Sequence, residues 1–254
     1  MALRALVAAH TQSAWNRSTR QLSKTGRNVA IAAAKGRYLS FLDSDDEWFP
    51  HHLEHLWSIR DGHVLVAGSG YQMREDPRRD SVSNRLLGTE TKVLTSPAAI
   101  IARNPIPASA VLARRDAVLE VGGYDTSLGY SEDFDLWIRL LERGTAVLSQ
   151  TPVMMYHTDA DQKSAHGSRP REAQRRIIDS YADRPWWTRR ASEYREGMVD
   201  WNEAVRHARS RRPLPAARAV GRLVARPGRL GQVLRARALR SVEYRRSGRY
   251  ARDG

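Results

Sequence analysis

The sequence predicts an α/β domain with a mixed, mainly parallel sheet, followed by a helical basic extension. Residues 37–42 form a short apolar, aromatic-rich run of strand character that ends on clustered carboxylates. Residues 131–143 repeat apolar side chains at helical spacing. The composition changes from residue 169 onwards. We therefore divide the chain into a domain of residues 1–168 and an Arg-rich extension of residues 169–254.

Charge separates the two parts of the chain. The whole sequence carries a net charge of +14, and residues 201–254 alone carry +12, from 15 Arg and three acids. Residues 1–200 therefore carry only +2, so the high isoelectric point does not make the α/β domain a nucleic-acid-binding protein. The sequence has no Cys, which excludes disulfides, thiolate metal ligands and a thiol nucleophile. No apolar run approaches the roughly 20 residues that span a bilayer.

The other elements follow from periodicity, caps and breakers. Gly36 ends a helix of residues 28–35, and Ser96 with Pro97 starts one that runs to residue 101. Helices are also expected over residues 50–60, 116–121, 171–181 and 193–209, and strands over residues 63–71, 92–94, 109–113, 146–148 and 153–156. Residues 73–87 are predicted as a surface loop, Pro213 and Pro215 as a linker, and the basic helix after them breaks at Pro227 and Gly228.

Three carboxylates in four residues, Asp43, Asp45 and Asp46, follow the strand of residues 37–42. Like charges repel and lose hydration when they are brought together, so a compensating cation is expected. Ligands of α/β proteins bind at the carboxyl ends of strands, and hard oxygen ligands suit Mg²⁺ or Mn²⁺ carrying a phosphorylated ligand. An acidic turn that caps a helix starting near Phe49 and Pro50 explains the same residues, and taken alone the turn leaves both interpretations open.

The residues around this turn resemble the central signature of family 2 glycosyltransferases. The resemblance lies in Arg27-Asn28-Val29-Ala30-Ile31, in residues 34–38, in Asp43-Ser44-Asp45-Asp46, and in Trp48 with Pro50. It implies a GT-A-like fold, a nucleotide-sugar donor and a divalent metal, Mg²⁺ or Mn²⁺. It makes the acidic turn a DXD-type motif, with Arg27, Asn28, Asp43 and Asp45 at the donor and Asp45 and Asp46 as metal ligands.

A second set of residues resembles the same family in the same order, so the resemblance runs from about Arg27 to Ser164. Gly122-Gly123-Tyr124-Asp125 is similar to the family's GG(F/Y)D segment, and Glu132-Asp133 to its ED motif. By this resemblance Asp133 is the general base and Glu132 orients the acceptor. Acids in the first turn of a helix also favour the macrodipole, which is the simpler explanation of their presence.

Histidines are weaker candidates for the site. The resemblance places a metal- or diphosphate-binding His near residue 159, where this sequence has Asp159, and His157 is therefore a metal candidate of low rank. His51 and His55 stand four residues apart on the predicted helix of residues 50–60, but no third ligand lies nearby. We expect His51, His52 and His55 to be exposed surface residues.

Residues 1–22 predict a helix and a polar connection. The family's opening strand, helix and second strand, which hold the nucleotide base, are not found upstream of Arg27. A truncated or misassigned start is the expected explanation, and loss of donor binding is the alternative.

The sequence therefore predicts an inverting glycosyltransferase that moves a sugar from a nucleotide-sugar to an acceptor hydroxyl in cell-envelope or surface polysaccharide synthesis. The expected acceptor is a saccharide or a lipid-linked sugar, and the expected location is cytoplasmic, peripheral at the inner face of the membrane. Trp186 and Trp187 either dock on the domain or lie at a membrane surface. Two alternatives stay open: a non-catalytic relative that binds a sugar or partner, and a polyanion-binding protein that acts through the extension, although nucleic acid is not the expected partner.

Overall fold

The computed structural model describes residues 23–73, 81–82, 91–101, 104–157, 169–209 and 213–226, together with residues 228, 230–231 and 233–234. The predicted helix of residues 1–22 and most of the loop of residues 73–87 lie outside the described residues. The helices are α1 Ser23–Ala33, α2 His52–Ser58, α3 Ala98–Ile101, α4 Arg115–Glu120, α5 Glu132–Leu141, α6 Arg169–Asp179, α7 Arg189–Arg209 and α8 Pro213–Val224. The strands are β1 Tyr38–Leu39, β2 Asp46–Trp48, β3 Leu65–Met73, β4 Ser81–Val82, β5 Thr91–Leu94, β6 Val111–Arg114 and β7 Ala146–His157.

In the described part of the chain these seven strands form one mixed sheet of order β1-β6-β3-β7-β2, with β4 beside β3 and β5 beside β7. Of the strand pairings described, β3 with β7 is parallel and the others are antiparallel. The prediction of a mixed sheet is confirmed, but the expectation that it is mainly parallel is wrong. β6 runs against both β1 and β3, β4 runs against β3, and β2 and β5 both run against β7.

The two faces of the sheet bury alternate residues of each central strand, as the pleat requires. On β3, Leu65 and Ala67 belong to the larger core, which also contains Phe134 and Trp137 of α5. Val66 points to the opposite face and packs in a smaller core with Leu56 of α2. Helices therefore cover both faces of the sheet, as in other α/β layers.

Helix α5 is buried on nearly every side. The apolar residues expected on one face, such as Phe134 and Trp137, are buried, but so are Leu136 and Leu140. The extension supplies the extra cover, since Ile177 and Ile178 of α6 belong to the same core as α5. The proposed domain boundary at residue 168 stays a prediction, and the first helix after it packs into the main core.

Three other elements differ from the sequence prediction. The strand expected over residues 37–42 pairs only at Tyr38–Leu39, because the chain turns away towards the acidic residues. The two strands expected over residues 146–156 are one irregular strand, β7, whose register against β3 shifts near Ser69. The prediction of a linker at Pro213 and Pro215 is wrong. Both residues lie in the first turn of α8, where the missing proline N–H groups need no partner.

None of the helices in the described residues is both long and apolar enough to cross a membrane.

Candidate functional site

The acidic turn joins β1 to β2 and is held by one serine. The Asp46 backbone N–H donates to the Asp43 carbonyl over 3.1 Å, which closes the turn. Ser109 accepts a hydrogen bond from the Asp43 N–H at 3.0 Å and donates its own hydroxyl to Asp46 Oδ2 at 2.6 Å. The Ser109 carbonyl accepts from the Trp48 indole at 2.7 Å. The 3-10 helix Ala108–Ala110, just before β6, therefore fixes the turn at both of its ends.

Arg27 links the acidic turn to the start of α5. One guanidinium nitrogen forms an ion pair with Asp43, and the other contacts Glu132 Oε1 at 3.2 Å. The guanidinium also lies over the Tyr124 ring, 5.3 Å from its centroid. Burial lowers the pKa of Arg27, but the negative charges of Asp43 and Glu132 outweigh it and the pKa is raised. Residues 105 positions apart in the sequence thus share one charged centre.

Asp133 follows Glu132 at the beginning of α5. Its Oδ2 accepts a 3.3 Å hydrogen bond from the Asn104 amide. Desolvation raises the pKa of Asp133 to about 6, and the charges of Glu132 and Asp43 add to this shift. A carboxylate with this pKa changes protonation state just below neutral pH, which suits a general base. Ser131, the residue before the pair, has a φ of 61°, an uncommon backbone conformation for a residue with a side chain.

Tyr124 lies under this group of charges. Its side chain is 2% exposed, and its ring meets Phe41 edge-on at 5.4 Å. Within the described residues its buried hydroxyl has no hydrogen-bond partner. Burial raises the pKa of Tyr124, and the nearby carboxylate of Asp133 contributes to the increase. The hydroxyl therefore stays protonated and can donate to an incoming group.

Asn28 positions Tyr124 rather than facing an open site. Its Oδ1 accepts from the Tyr124 N–H at 2.8 Å and its Nδ2 donates to the Tyr124 carbonyl at 2.7 Å. Gly123 has a φ of +67°, and a Cβ there would stand 2.6 Å from Asn28 Oδ1. A side chain at this position would displace the Asn28 amide, and the positive φ would strain its backbone. The donor-binding role of Asn28 stays a prediction, beside this structural role.

The structure brings four predicted site residues together: Arg27, Asp43, Glu132 and Asp133. The other predicted residues lie around them. Asp45 is exposed at the tip of the turn, whereas Asp46 is buried and bonded to Ser109. The backbone of His157 ends β7 opposite Met73, and its side chain lies outside the described part of the structure.

The described residues contain no preformed centre for the predicted metal. Among the described residues, no three His, Asp or Glu side chains are grouped to hold an ion. In the turn, Asp43 is paired with Arg27, Asp46 is buried and bonded to Ser109, and Asp45 is exposed. Mg²⁺ commonly uses one or two carboxylates and takes its other ligands from phosphates and water. Asp45 fits that pattern, and the role of Asp46 as a metal ligand stays a prediction.

The histidines of the α2 region have structural partners. His52 is 1% exposed, so its prediction as a surface residue is wrong. It stacks on Trp48 with 4.2 Å between ring centroids, and its Nδ1 lies 3.0 Å from the Val153 carbonyl. Burial lowers the pKa of His52 to about 4. His51 is exposed, as expected, whereas His55 is half-buried rather than exposed and lies 2.8 Å from Ser149 Oγ.

Several residues that shape the site carried no functional signal in the sequence. Ser109 and Asn104 are small polar residues outside any motif, and only the folded chain shows their contacts. Asp135 is different, because its spacing of four residues from Arg139 is typical of an ion pair on a helix. Asp135 accepts two hydrogen bonds from Arg139 and one from the Tyr181 hydroxyl at 2.8 Å, so it anchors the extension.

Residues 16–114 match the model of glycosyl transferase family 2, a segment that contains Arg27, the acidic turn and Ser109. Over this segment, which is less than half of its length, the chain is similar to glycosyl transferase family 2. The family resemblance of the first set of motifs is thereby confirmed. The segment around Gly123 and the Glu132-Asp133 pair lies beyond the matched residues, so the roles assigned to those two acids stay predictions.

Two relatives bear on the fold and the class. The fold is similar to that of S. aureus TarS 1–349 in complex with UDP-GlcNAc, with a TM-score of 0.53 and 13% identity, over 70% of this chain and 52% of that chain. This similarity confirms the GT-A-like fold class. The sequence is 26% identical over 128 residues to the amylovoran biosynthesis glycosyltransferase AmsE of Erwinia amylovora, which is 50% of this chain and 47% of that protein. The chain therefore spans about half the length of the relatives it matches.

Proposed function

We propose that this chain transfers a sugar from a nucleotide-sugar donor to an acceptor hydroxyl, with inversion at the anomeric carbon. The observation that carries the proposal is the Arg27 bridge, which joins the acidic turn at Asp43 to the acidic start of α5 at Glu132. This contact supports the proposal, because it joins the predicted donor-side turn to the helix start that carries the predicted base, near the carboxyl end of β1.

The donor diphosphate has a cationic partner in Arg27. Guanidinium groups bind phosphate oxygens through two parallel hydrogen bonds, and a diphosphate would replace one of the two carboxylates that Arg27 now contacts. Asp45 would bind the divalent metal, Mg²⁺ or Mn²⁺, that accompanies the diphosphate. When bound, such a metal offsets the negative charge that develops on the leaving nucleoside diphosphate.

Asp133 is the proposed base for the acceptor. The acceptor oxygen forms a bond to the anomeric carbon while the bond from that carbon to the phosphate oxygen breaks. The acceptor proton passes to the carboxylate of Asp133, and the bonding electrons leave with the nucleoside diphosphate. Because the pKa of Asp133 is raised to about 6, the carboxylate is ionised at neutral pH and is still basic enough to take the proton.

The relatives support the choice of substrates to test. AmsE is named for amylovoran biosynthesis, and TarS has been solved with UDP-GlcNAc. We propose a UDP-sugar as the first donor and a saccharide or lipid-linked acceptor, in cell-envelope polysaccharide synthesis at the cytoplasmic face of the membrane.

The test is calorimetric titration of UDP and GDP, with and without Mn²⁺, against the wild type and Asp45→Ala. We expect nucleotide binding that needs both the metal and Asp45. Asp133→Asn should bind the nucleotide with unchanged affinity. Its rate of sugar transfer, or of donor hydrolysis, should fall by at least about 100-fold. Arg175→Gln is the control, since this side chain is exposed on α6 and its ion-pair partner is Asp179, which is not a predicted site residue.

Two outcomes would overturn the proposal. Nucleotide binding without any turnover of donor would make the chain a binding module. An absence of nucleotide binding under every condition would remove the donor site. The remaining alternative, polyanion binding through the extension, has less support, because Arg222 of α8 already pairs with Asp200 at 2.5 Å and with Glu203 at 2.6 Å.

A further inference from the structure

A basic hollow opens at the edge of the sheet opposite the acidic turn. It has a volume of about 370 Å³, near the lower end of the 300–1,000 Å³ typical of small-molecule sites. Its lining comes from three segments of the chain, with Lys35 and Arg37 before β1, His63 before β3, and Arg114 and Arg115 at the end of β6.

The register of the sheet places this hollow away from the candidate site. Tyr38 at the start of β1 lies opposite Arg114 at the end of β6, and Leu65 at the start of β3 lies opposite Ala113. The hollow therefore adjoins the amino ends of β1 and β3, whereas the acidic turn follows the carboxyl end of β1. The two sites share no lining residue.

The segments that carry the cations are fixed by backbone hydrogen bonds. The Arg115 N–H donates to the Arg37 carbonyl over 2.9 Å, and the Arg114 N–H donates to the Val64 carbonyl over 2.9 Å. His63 Nδ1 lies 2.7 Å from Thr145 Oγ1, which holds the third wall. A ligand would thus meet cations on a rigid frame rather than on a loop, which lowers the ordering cost of binding.

The charge of the hollow is largely unbalanced. Its one carboxylate, Asp116, is held by Arg114 through two hydrogen bonds of 3.0 and 2.5 Å. Among the described residues the side chains of Lys35 and Arg37 have no hydrogen-bond or ion-pair partner. The buried Nε of Arg115 also has no partner there, although a guanidinium N–H out of water should have one. Such a cluster of cationic side chains is unusual within residues 1–200, which carry a net charge of only +2.

We propose that the hollow binds a phosphate-bearing anion, independently of the sugar-transfer site. Arginine pairs present planar donors that match phosphate oxygens, and Lys35 adds a mobile point charge. The phosphate comes either from a free ligand such as a diphosphate or from a lipid headgroup at a membrane surface. The chemistry of recognition is the same for both sources.

The test is titration of inorganic pyrophosphate, in EDTA to suppress metal-dependent binding at the acidic turn, against the wild type and Lys35→Glu/Arg37→Glu. We expect one site per chain and an affinity at least about tenfold lower in the double variant, because two charge-assisted contacts are reversed. Arg175→Glu/Arg189→Glu is the control with the same charge change, since both side chains are exposed on the extension, at 78% and 92%.

Vesicle co-sedimentation identifies the source of the phosphate. The vesicles contain phosphatidylcholine and phosphatidylglycerol. If they bind the wild type but not Lys35→Glu/Arg37→Glu, and pyrophosphate competes with them, the source of the phosphate is a lipid headgroup. Pyrophosphate binding without vesicle binding would assign a free anion. The proposal is overturned if neither probe binds, or if the control variant loses as much affinity as the double variant. Asp45→Ala should leave pyrophosphate binding in EDTA unchanged, so failure here is separable from failure of the transferase proposal.

Discussion

Arg27 is placed where three carboxylates would otherwise face one another without a cation. It contacts Asp43 and Glu132 directly, and its charge also acts on Asp133. Neighbouring carboxylates raise one another's pKa, and a cation between them reduces this increase. The ligand-free site is thus held together by the side chain that the proposal gives to the donor phosphate. Donor binding should therefore change the electrostatics at Asp133 as well.

Replacing Arg27 with Gln should move the pH dependence of transfer. The guanidinium lowers the pKa of Asp133, so its removal should raise that pKa above its present value of about 6. Because the base acts when it is ionised, the acidic limb of kcat/KM should shift to higher pH. The measurement is a pH–rate profile from pH 5 to 9, with Arg175→Gln as the control. An acidic limb that stays in place would contradict the assignment of Asp133 as the base.

Tyr124→Phe should stabilise the protein while changing the site. A buried hydroxyl without a partner costs about 1–3 kcal/mol of desolvation, so its removal should raise the free energy of unfolding by about 1 kcal/mol. Tyr181→Phe is the matched control: that hydroxyl donates to Asp135, and its loss should lower the free energy of unfolding by about 1–2 kcal/mol. Urea unfolding of both variants gives the comparison. Shifts of the same sign in the two variants would show that the Tyr124 hydroxyl is satisfied in solution.

At the scale of elements, the acidic turn depends on a residue from another segment. β1 has two residues and β2 has three, too few ladder hydrogen bonds to fix the turn between them. Ser109 provides the missing constraint through Asp43 and Asp46. Its own position is set by the turn that begins at Pro107, where the 3-10 helix precedes β6. The geometry of the donor side therefore depends on the start of β6.

Ser109→Ala should loosen this turn. The change leaves the buried carboxylate of Asp46 without its hydroxyl donor, and we expect a loss of about 1–3 kcal/mol in the free energy of unfolding. Nucleotide affinity should fall as well, since Asp43 loses the acceptor of its backbone N–H. Chemical denaturation and titration of UDP with Mn²⁺ give the two readouts. Ser58→Ala is the control, because that exposed hydroxyl donates only to His55 within α2, and equal effects in both variants would refute the role of Ser109.

The sequence predicted the elements that carry a strong local signal. The 3.6-residue period of α5 and the cap at Ser96 each gave an element close to the observed one. The helix expected over residues 28–35 is wrong in its bounds, since α1 begins at Ser23 and ends at Ala33, and Gly36 lacks the positive φ of a left-handed cap. The sequence could not predict features that depend on tertiary contacts. Nothing local shows that β6 runs against both of its neighbours, that α6 contributes to the core around α5, or that His52 stacks on Trp48. For the site, motifs located Asp43 and Asp133, but not Ser109, which is recognisable only by its contacts.

At the scale of the whole molecule, the extension packs against the α/β domain. Trp186 donates its indole N–H to Glu142 at 2.8 Å, and Trp186 and Trp187 both pack against the main core. Of the two alternatives for this pair, docking on the domain or lying at a membrane surface, the structure shows docking. Arg195 of α7 donates to the Ile101 carbonyl, and its guanidinium lies 5.9 Å from the centroid of the Phe134 ring. Burial lowers the pKa of Arg195 to about 10, which shows how far its charge is taken from water. Part of the Arg-rich composition thus has a structural use.

Ile178→Ala tests whether the two parts fold as one unit. Ile178 is 3% exposed in the core shared with α5, so its truncation should cost about 2–5 kcal/mol, as for any core position. If residues 169–254 are a separate domain, the variant should unfold in two transitions and leave the domain of residues 1–168 with wild-type stability. We expect instead one transition, shifted for probes on both parts. Leu214→Ala, at an exposed position of α8, is the control and should change stability by no more than about 0.5 kcal/mol. Two transitions in urea, followed by tryptophan fluorescence and by far-UV circular dichroism, would refute the single unit and support the boundary at residue 168.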